Sequence, residues 1–299
     1  MRDRVKMSAE RFRKLRPNLK ETSIRTYVAN IRRLRKVDEH LDYAPIASHL
    51  KQLPASKAVT LLTALIVLEG RHRFGRLYDG LVEDANRMRG NQQFTKTELA
   101  NWTSSLEIRK GIKRCRFDVD KAKLLEPRPL SSHEFATLQH YLVLKFYSEF
   151  HWRSDLVSIR LGHHPGKNYY KNGVLYMNKF KTDKQFARRG MLPLRFTPSR
   201  GLKILLRKFI HIRSLQPKID HDYLIVNKSW RPIARHSFYQ YMTSVTYKYI
   251  GKRLGTSMLR HIYITEFLDS DPNLNMRKKF LYSTMQLSLE TQEGYRRIH

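Results

Sequence analysis

Apolar residues recur at intervals of three and four along most of this chain, which is the signature of helices with one buried face. From Thr22 onward, Ile24, Tyr27, Val28, Ile31 and Leu34 form one such stripe, while Arg25, Arg32, Arg33, Arg35 and Lys36 lie mostly off it. Residues 45–53 predict a short helix ended by Pro54. Ser56 reads as the cap of a third helix over about 57–69, whose apolar residues cover most of its surface, so it belongs at the centre of a bundle; Gly70 closes it. Residues 77–91 and 95–110 predict two more helices, with Thr95 capping the second. Residues 1–20 are basic and read as a loose arm.

The texture changes after about residue 110. Glu126-Pro127-Arg128-Pro129 stops any helix and stiffens the backbone, so residues 119–130 are expected to link a helical domain, 21–118, to a second domain, 131–299. Ser131 to Glu134 has the form of a capping box, and a strongly apolar helix follows over 135–150. Residues 169–177 form a β-prone run with an Asn172-Gly173 turn, and 186–194 read as its antiparallel partner, with Lys179, Lys181 and Lys184 around the intervening turn. Helices resume over 199–212, 236–249 and 256–267, and from 276 to the C-terminus. The fold class is therefore α+β and mostly helical: a helical bundle first, then a mixed domain with a small antiparallel sheet.

Charge narrows the function. Lys and Arg number 58 against 26 acidic residues, a formal net charge of +32 in 299 residues. Such an excess opposes a compact fold unless a polyanion offsets it, which makes nucleic acid the first candidate partner and an anionic membrane surface the second. The cations are spread through the apolar periodicity rather than gathered in a tail, so a folded nucleic-acid-binding protein is expected. Cys115 is the single cysteine, which leaves no internal disulfide and no cysteine-based metal site and fits a reducing intracellular compartment. Residues 1–16 lack the apolar core of a signal peptide, and the longest apolar run, 58–68, is too short to span a bilayer. There is no Gly-rich phosphate loop and no acidic cluster of the two-metal kind, so no metal and no cofactor is expected.

Candidate chemistry begins in the helix over 256–267. Its apolar face, Leu259, Ile262, Tyr263 and Phe267, puts Arg260 and His261 on or beside a buried seam, where a guanidinium is costly unless it meets an anion. Three other stretches bear on it: His151-Trp152-Arg153-Ser154-Asp155-Leu156, Phe180-Lys181-Thr182-Asp183-Lys184, and Glu290 to Arg297. For phosphoryl transfer on DNA, two guanidiniums can each grip two phosphate oxygens, a Lys or His can protonate the leaving 5′ oxygen, and a Tyr can attack to form a phosphoester.

In this order the four stretches resemble the catalytic half of the tyrosine recombinases, and in texture the chain is similar to the integrase-like recombinases of eukaryotic DNA viruses and Crypton-type elements. The resemblance implies a DNA core-binding domain followed by a catalytic domain that cleaves and rejoins strands through a 3′-phosphotyrosyl intermediate. It implies that Arg153 and Arg260 clamp the scissile phosphate, Lys181 is the general acid, Tyr295 is the nucleophile, Asp155 holds the site together by pairing with a guanidinium or a backbone donor, and His261 supports Arg260. Lys179 and Lys184 on the same hairpin are alternatives for the acid, and Tyr282 for the nucleophile. The implied partner is double-stranded DNA, met by basic faces such as Arg25, Arg32, Arg33, Arg35 and Lys36 together with Lys179 and Lys184. A homo-dimer or tetramer on paired sites is implied, with no membrane and a DNA-associated, intracellular location. The chain departs from the family's pattern at Ser257 and Leu287, where histidines are usual, and loss of one transition-state donor costs about a hundredfold or more. A recombinase-derived DNA-binding protein with weak or lost cleavage is the alternative expectation.

Overall fold

The protein, seen in a computed structural model that describes residues 2–91, 93–281, 289 and 294–297, divides into two compact units, Met1–Gln93 and Phe94–His299. The first is all-helical: α1 Arg2–Leu15, α2 Glu21–Arg35, α3 Tyr43–Lys51, α4 Ala55–Glu69 and α5 Gly75–Gly90. α4 packs against the other four. Ala58, Leu61, Leu62, Ala64, Leu65 and Leu68 are buried around most of its circumference, as expected for a central helix. The stripe of α2 is inward and Arg25, Arg32, Arg33, Arg35 and Lys36 are exposed.

Two readings of this unit change. Residues 1–20 are not a loose arm: α1 forms, and Phe12 is fully buried in the unit's core with its ring 5.5 Å from Tyr27. One aromatic anchor in a basic stretch, with Arg13 donating to Glu21 at 2.9 Å, ties down a segment that has no apolar stripe. α4 begins at Ala55 with Pro54 in the cap position, so Ser56 lies inside the first turn rather than capping it.

The second unit contains α6 Lys96–Asn101, α7 Ser105–Lys121, α8 Ser132–Glu149, a 3-10 turn Ser154–Ser158, β1 Ile159–Leu161, β2 Asn168–Lys171, β3 Val174–Met177, α9 Asp183–Arg188, β4 Leu194–Phe196, α10 Arg200–Ser214, α11 Phe238–Ile250, α12 Thr256–Asp269 and α13 Leu274–Phe280. The sheet runs β1-β2-β3-β4, with β1 parallel to β2 and the other pairs antiparallel. The protein is thus α+β and mostly helical.

The division between units falls well before residues 119–130. Apolar burial overrides the two prolines there: Val119, Leu124 and Leu130 belong to the second unit's core, and the Leu130 amide donates to Gln216 Oε1 at 3.0 Å. α7 packs on α8, α11 and α12. At Gly111 the approach is so close that a Cβ would lie 2.5 Å from Ile250 Cγ1. Residues 95–110 are two helices rather than one: α6 opens on the Thr95–Glu98 capping box and ends at Trp102, and Ser104 caps α7 after the break.

Within the sheet, Asn172 and Gly173 turn with positive φ, as Asn-Gly predicts. The stretch 186–194 is not a strand except at Leu194, where β4 begins. α9 occupies its start because Phe186 packs edge-on against Phe180, 5.4 Å away, and Gly190 ends the turn; the partner strand of β3 is β4. Of the helix expected from 276 to the C-terminus, the structure shows α13, capped by Asn273, while residues 294–297 are turn and irregular rather than helical; residues 282–288 and 290–293 lie outside the described part.

Asn168 fixes the path that leads to Lys181. It is 1% exposed, its amide donates to Ser158 Oγ (2.8 Å) and the Lys179 carbonyl (2.6 Å), and its Oδ1 accepts from the amides of Asn178 (2.8 Å) and Lys179 (2.7 Å). Replacing it with Ala strands these groups and is expected to lower stability by about 1–3 kcal/mol. Urea unfolding should show a lower midpoint with an unchanged slope; an unchanged midpoint would contradict this role.

Candidate active site

Arg153 follows directly on the core. Trp152, 1% exposed, is wedged among Phe146, Phe150 and Phe196 at ring separations of 5.2, 5.0 and 5.0 Å. The next residue, Arg153, sits in the cap position of the 3-10 turn, and its carbonyl accepts from Tyr147 Oη at 2.6 Å. Burial holds the Tyr147 phenol well above its ordinary range, so it stays a neutral donor. The Arg153 backbone is therefore pinned from α8, while its half-buried side chain reaches away from the core.

Asp155, 3% exposed, accepts from Arg235 Nη2 at 2.7 Å. Of the two kinds of partner considered for Asp155, a guanidinium or a backbone donor, this contact is of the first kind. Arg235 precedes α11, and no periodicity or spacing sets it apart from the other cations of the chain.

Arg260 is 2% exposed on α12, beside Leu259, Ile262 and Ile264. Burial pulls its guanidinium below the usual arginine range, Arg153 pushes the same way, and the negative or polarisable groups Tyr295, Asp155 and Tyr147 oppose it. Its guanidinium carbon lies 5.4 Å from the centroid of the Tyr295 ring. At the hydroxyl end of the same ring, Arg153 Nη2 donates to Tyr295 Oη at 3.0 Å. Two guanidiniums thus bracket one phenol. Burial alone would raise the Tyr295 pKa, but Arg260, Arg153 and Lys181 outweigh it, and the phenol falls below its ordinary value of 10. Lys181 is exposed and contributes through its charge; Lys179 and Lys184 are also exposed.

His261 acts on the backbone of the same tyrosine. Its Nδ1 lies 2.7 Å from the Tyr295 carbonyl and so carries the proton, which leaves Nε2 to accept from Arg297 Nη2 at 3.2 Å. Burial first, then Arg297 and Arg260, lower its pKa against the opposing effects of the Tyr295 carbonyl and Glu98, so it is neutral. It serves as a clamp more than as a neighbour of Arg260. The Arg297 amide donates to Thr265 Oγ1 at 2.9 Å, one turn of α12 further on.

His151 is 4% exposed, and burial followed by the charge of Arg260 takes its pKa to about 3. Its ring packs 3.9 Å from that of Tyr263. Ser257 is exposed in the first turn of α12. Leu287 and the alternative tyrosine, Tyr282, lie outside the described residues. Among the described residues there is no group of three or more His, Cys, Asp or Glu that could hold a metal, and no helix is long and apolar enough to cross a membrane.

The structure thus brings Arg153, Lys181, Arg260, His261 and Tyr295 to one place, with Asp155 held beside them by Arg235. Sequence reasoning missed Arg235 and Glu98, whose hydrogen bonds to Asp155 and Arg297 span 80 and 199 positions, and Tyr147, whose hydroxyl holds the Arg153 carbonyl. The fold and site together define an α+β protein built around a tyrosine flanked by two guanidiniums. No protein-family model matches the chain, and no curated protein matches it. Among solved structures it is similar to a crystal structure of XerA recombinase, with 11% identity and a TM-score of 0.47 over 98% of this chain and 94% of that one. At that identity and score the likeness supplies no residue correspondence.

The electrostatic bracket has a direct signature. Phenolate absorbance followed against pH, with the curve of the Tyr295→Phe variant subtracted, should show Tyr295 ionising below 10. Arg153→Ala should move that midpoint upward, because burial then meets less opposing charge. A midpoint at or above 10 in the unaltered protein would contradict the bracket.

Proposed function

We propose that this protein is a site-specific DNA recombinase or integrase that cleaves and rejoins strands through a covalent 3′-phosphotyrosyl intermediate, with Tyr295 as nucleophile. The observation that supports this reading is the phenol of Tyr295 placed between Arg153 and Arg260. Cations that lower a phenol pKa are also the groups that neutralise a phosphodiester, so one arrangement serves both partners of the reaction. In the step, the Tyr295 phenol loses its proton to water, its Oη forms a bond to phosphorus, the P–O5′ bond breaks, and Lys181 gives its proton to the 5′ oxygen. The phosphoester keeps the bond energy of the broken linkage, so reversal by a 5′ hydroxyl rejoins the strand without ATP.

Asp155 and Arg235 steady the segment that carries Arg153, and His261 holds the Tyr295 backbone. Double-stranded DNA is the proposed partner, met by the exposed Arg25, Arg32, Arg33, Arg35 and Lys36 of α2 and by Lys179 and Lys184, with two or four copies on paired sites and the protein DNA-associated inside the cell. The first unit, with part of the region up to 118, is proposed as the core-binding domain. A second reading, a DNA-binding protein with weak or lost cleavage, is favoured by Ser257, whose hydroxyl is a weaker donor to phosphate than a histidine.

Covalent trapping tests the proposal. The protein is mixed with nicked duplexes spanning candidate sites of its own genome and run on a denaturing gel. A protein–DNA adduct that vanishes in Tyr295→Phe is the expected result. Binding should weaken on the order of a thousandfold over a few-fold rise in salt, as for any protein that meets several phosphates. Steeply salt-dependent binding with no adduct would favour the second reading, and salt-independent binding would overturn both.

A further inference from the structure

The short C-terminal segment that carries Tyr295 is tied down by a residue from a distant part of the second unit. Glu98 lies on α6, the first helix after the division between units. Its Oε2 accepts from the Thr95 amide at 2.9 Å and completes the cap of α6. Its other oxygen, Oε1, accepts from Arg297 Nη2 at 2.8 Å and from Arg297 Nε at 3.2 Å. Both side chains are 13% exposed, so the pair is largely removed from water and more strongly coupled than a surface ion pair. Arg297 in turn touches His261 Nε2, and the opposite nitrogen of that ring holds the Tyr295 carbonyl.

The chain of contacts therefore runs Glu98, Arg297, His261, Tyr295. The Arg297 amide on Thr265 and the Arg296 guanidinium on Asp269, at 2.9 Å each, dock the same residues on α12. Every link acts on the backbone or on the residues just after the tyrosine, and none touches the phenol oxygen, which is left to Arg153.

We propose that Glu98 and Arg297 form a latch that positions Tyr295 between Arg153 and Arg260 for the reaction, making both positioning residues 199 positions apart in sequence. This rests on the reading of Tyr295 as nucleophile. Because one carboxylate both caps α6 and holds the latch, the set of α6 and the placement of the nucleophile are mechanically joined.

Three variants test this: Glu98→Ala, Arg297→Ala and the two combined, with Glu98→Gln as a form that keeps the helix cap, since Gln also serves in a capping box. Each is read for adduct formation on a nicked duplex, for DNA affinity, and for the Tyr295 titration obtained by subtracting the matching Tyr295→Phe curve. Either single alanine variant should slow adduct formation by roughly a hundredfold through misplacement of the nucleophile, with DNA affinity unchanged. The double variant should lose no more than a single one, because the two residues act as one unit. In all three the Tyr295 midpoint should rise as the phenol leaves the guanidiniums. Unchanged rate and midpoint in Glu98→Ala, or losses that add in the double variant, would overturn the latch. If the unaltered protein forms no adduct, the recombinase reading fails, while the titration still decides the latch.

Discussion

A guanidinium taken out of water must find negative charge or polarisable oxygen, and the second unit is arranged around that demand at Arg260. At 2% exposure its charge cannot be met by solvent. The groups that answer it are Tyr295 from the C-terminal segment, Asp155 from the turn after α8, and Tyr147 from α8 itself. Each belongs to a different element, so one buried charge draws three parts of the fold together. Arg153 opposes Arg260 electrostatically, so the free protein carries a repulsion between two like charges. A phosphodiester would relieve that repulsion.

This explains why the aromatic core sits where it does. Trp152 packed among Phe146, Phe150 and Phe196, and the Tyr147 hydroxyl on the Arg153 carbonyl, make a rigid base from which Arg153 projects. Asn168 performs the same service for the turn before Lys181, through four hydrogen bonds from one buried amide. Tyr295, the proposed nucleophile, differs: it lies near the C-terminus, where His261, Arg297 and Glu98 hold its segment by polar contacts and its ring packs on the cluster of Ile264, Leu268 and Leu281. Rigid cations and a tethered tyrosine suit the proposed reaction, in which the tyrosine joins the phosphate and then releases it.

What the sequence disclosed follows the range of its signals. Periodicity acts over one or two turns, so it revealed α2, α4, α8 and α12, and with α12 the burial of Arg260. The Asn172-Gly173 turn was legible because its backbone needs positive φ. Arg153, Asp155 and Tyr295 stood out by order and separation. Glu98 and Arg235 did not, because an ion pair between residues 80 or 199 apart leaves no local trace. Pro127 and Pro129 punctuate the backbone strongly, whereas Leu124 and Leu130 bury themselves in the second unit's core without any pattern. α1 was overlooked because the chief anchor among its described residues is one aromatic, Phe12, and α9 because an aromatic contact, Phe180 with Phe186, outweighs a run that reads as extended.

The central claim is that the tyrosine between Arg153 and Arg260 takes the phosphate. The most direct measurement is mass spectrometry of the trapped protein–DNA adduct after nuclease and trypsin digestion. Tyr282 and Tyr295 fall in one tryptic peptide, 280–296, so fragment ions must locate the nucleotide within it. The account requires a 3′-phosphonucleotide on Tyr295 and an unmodified Tyr282. A nucleotide on Tyr282, on any tyrosine outside that peptide, or linked through a 5′ phosphate would contradict it.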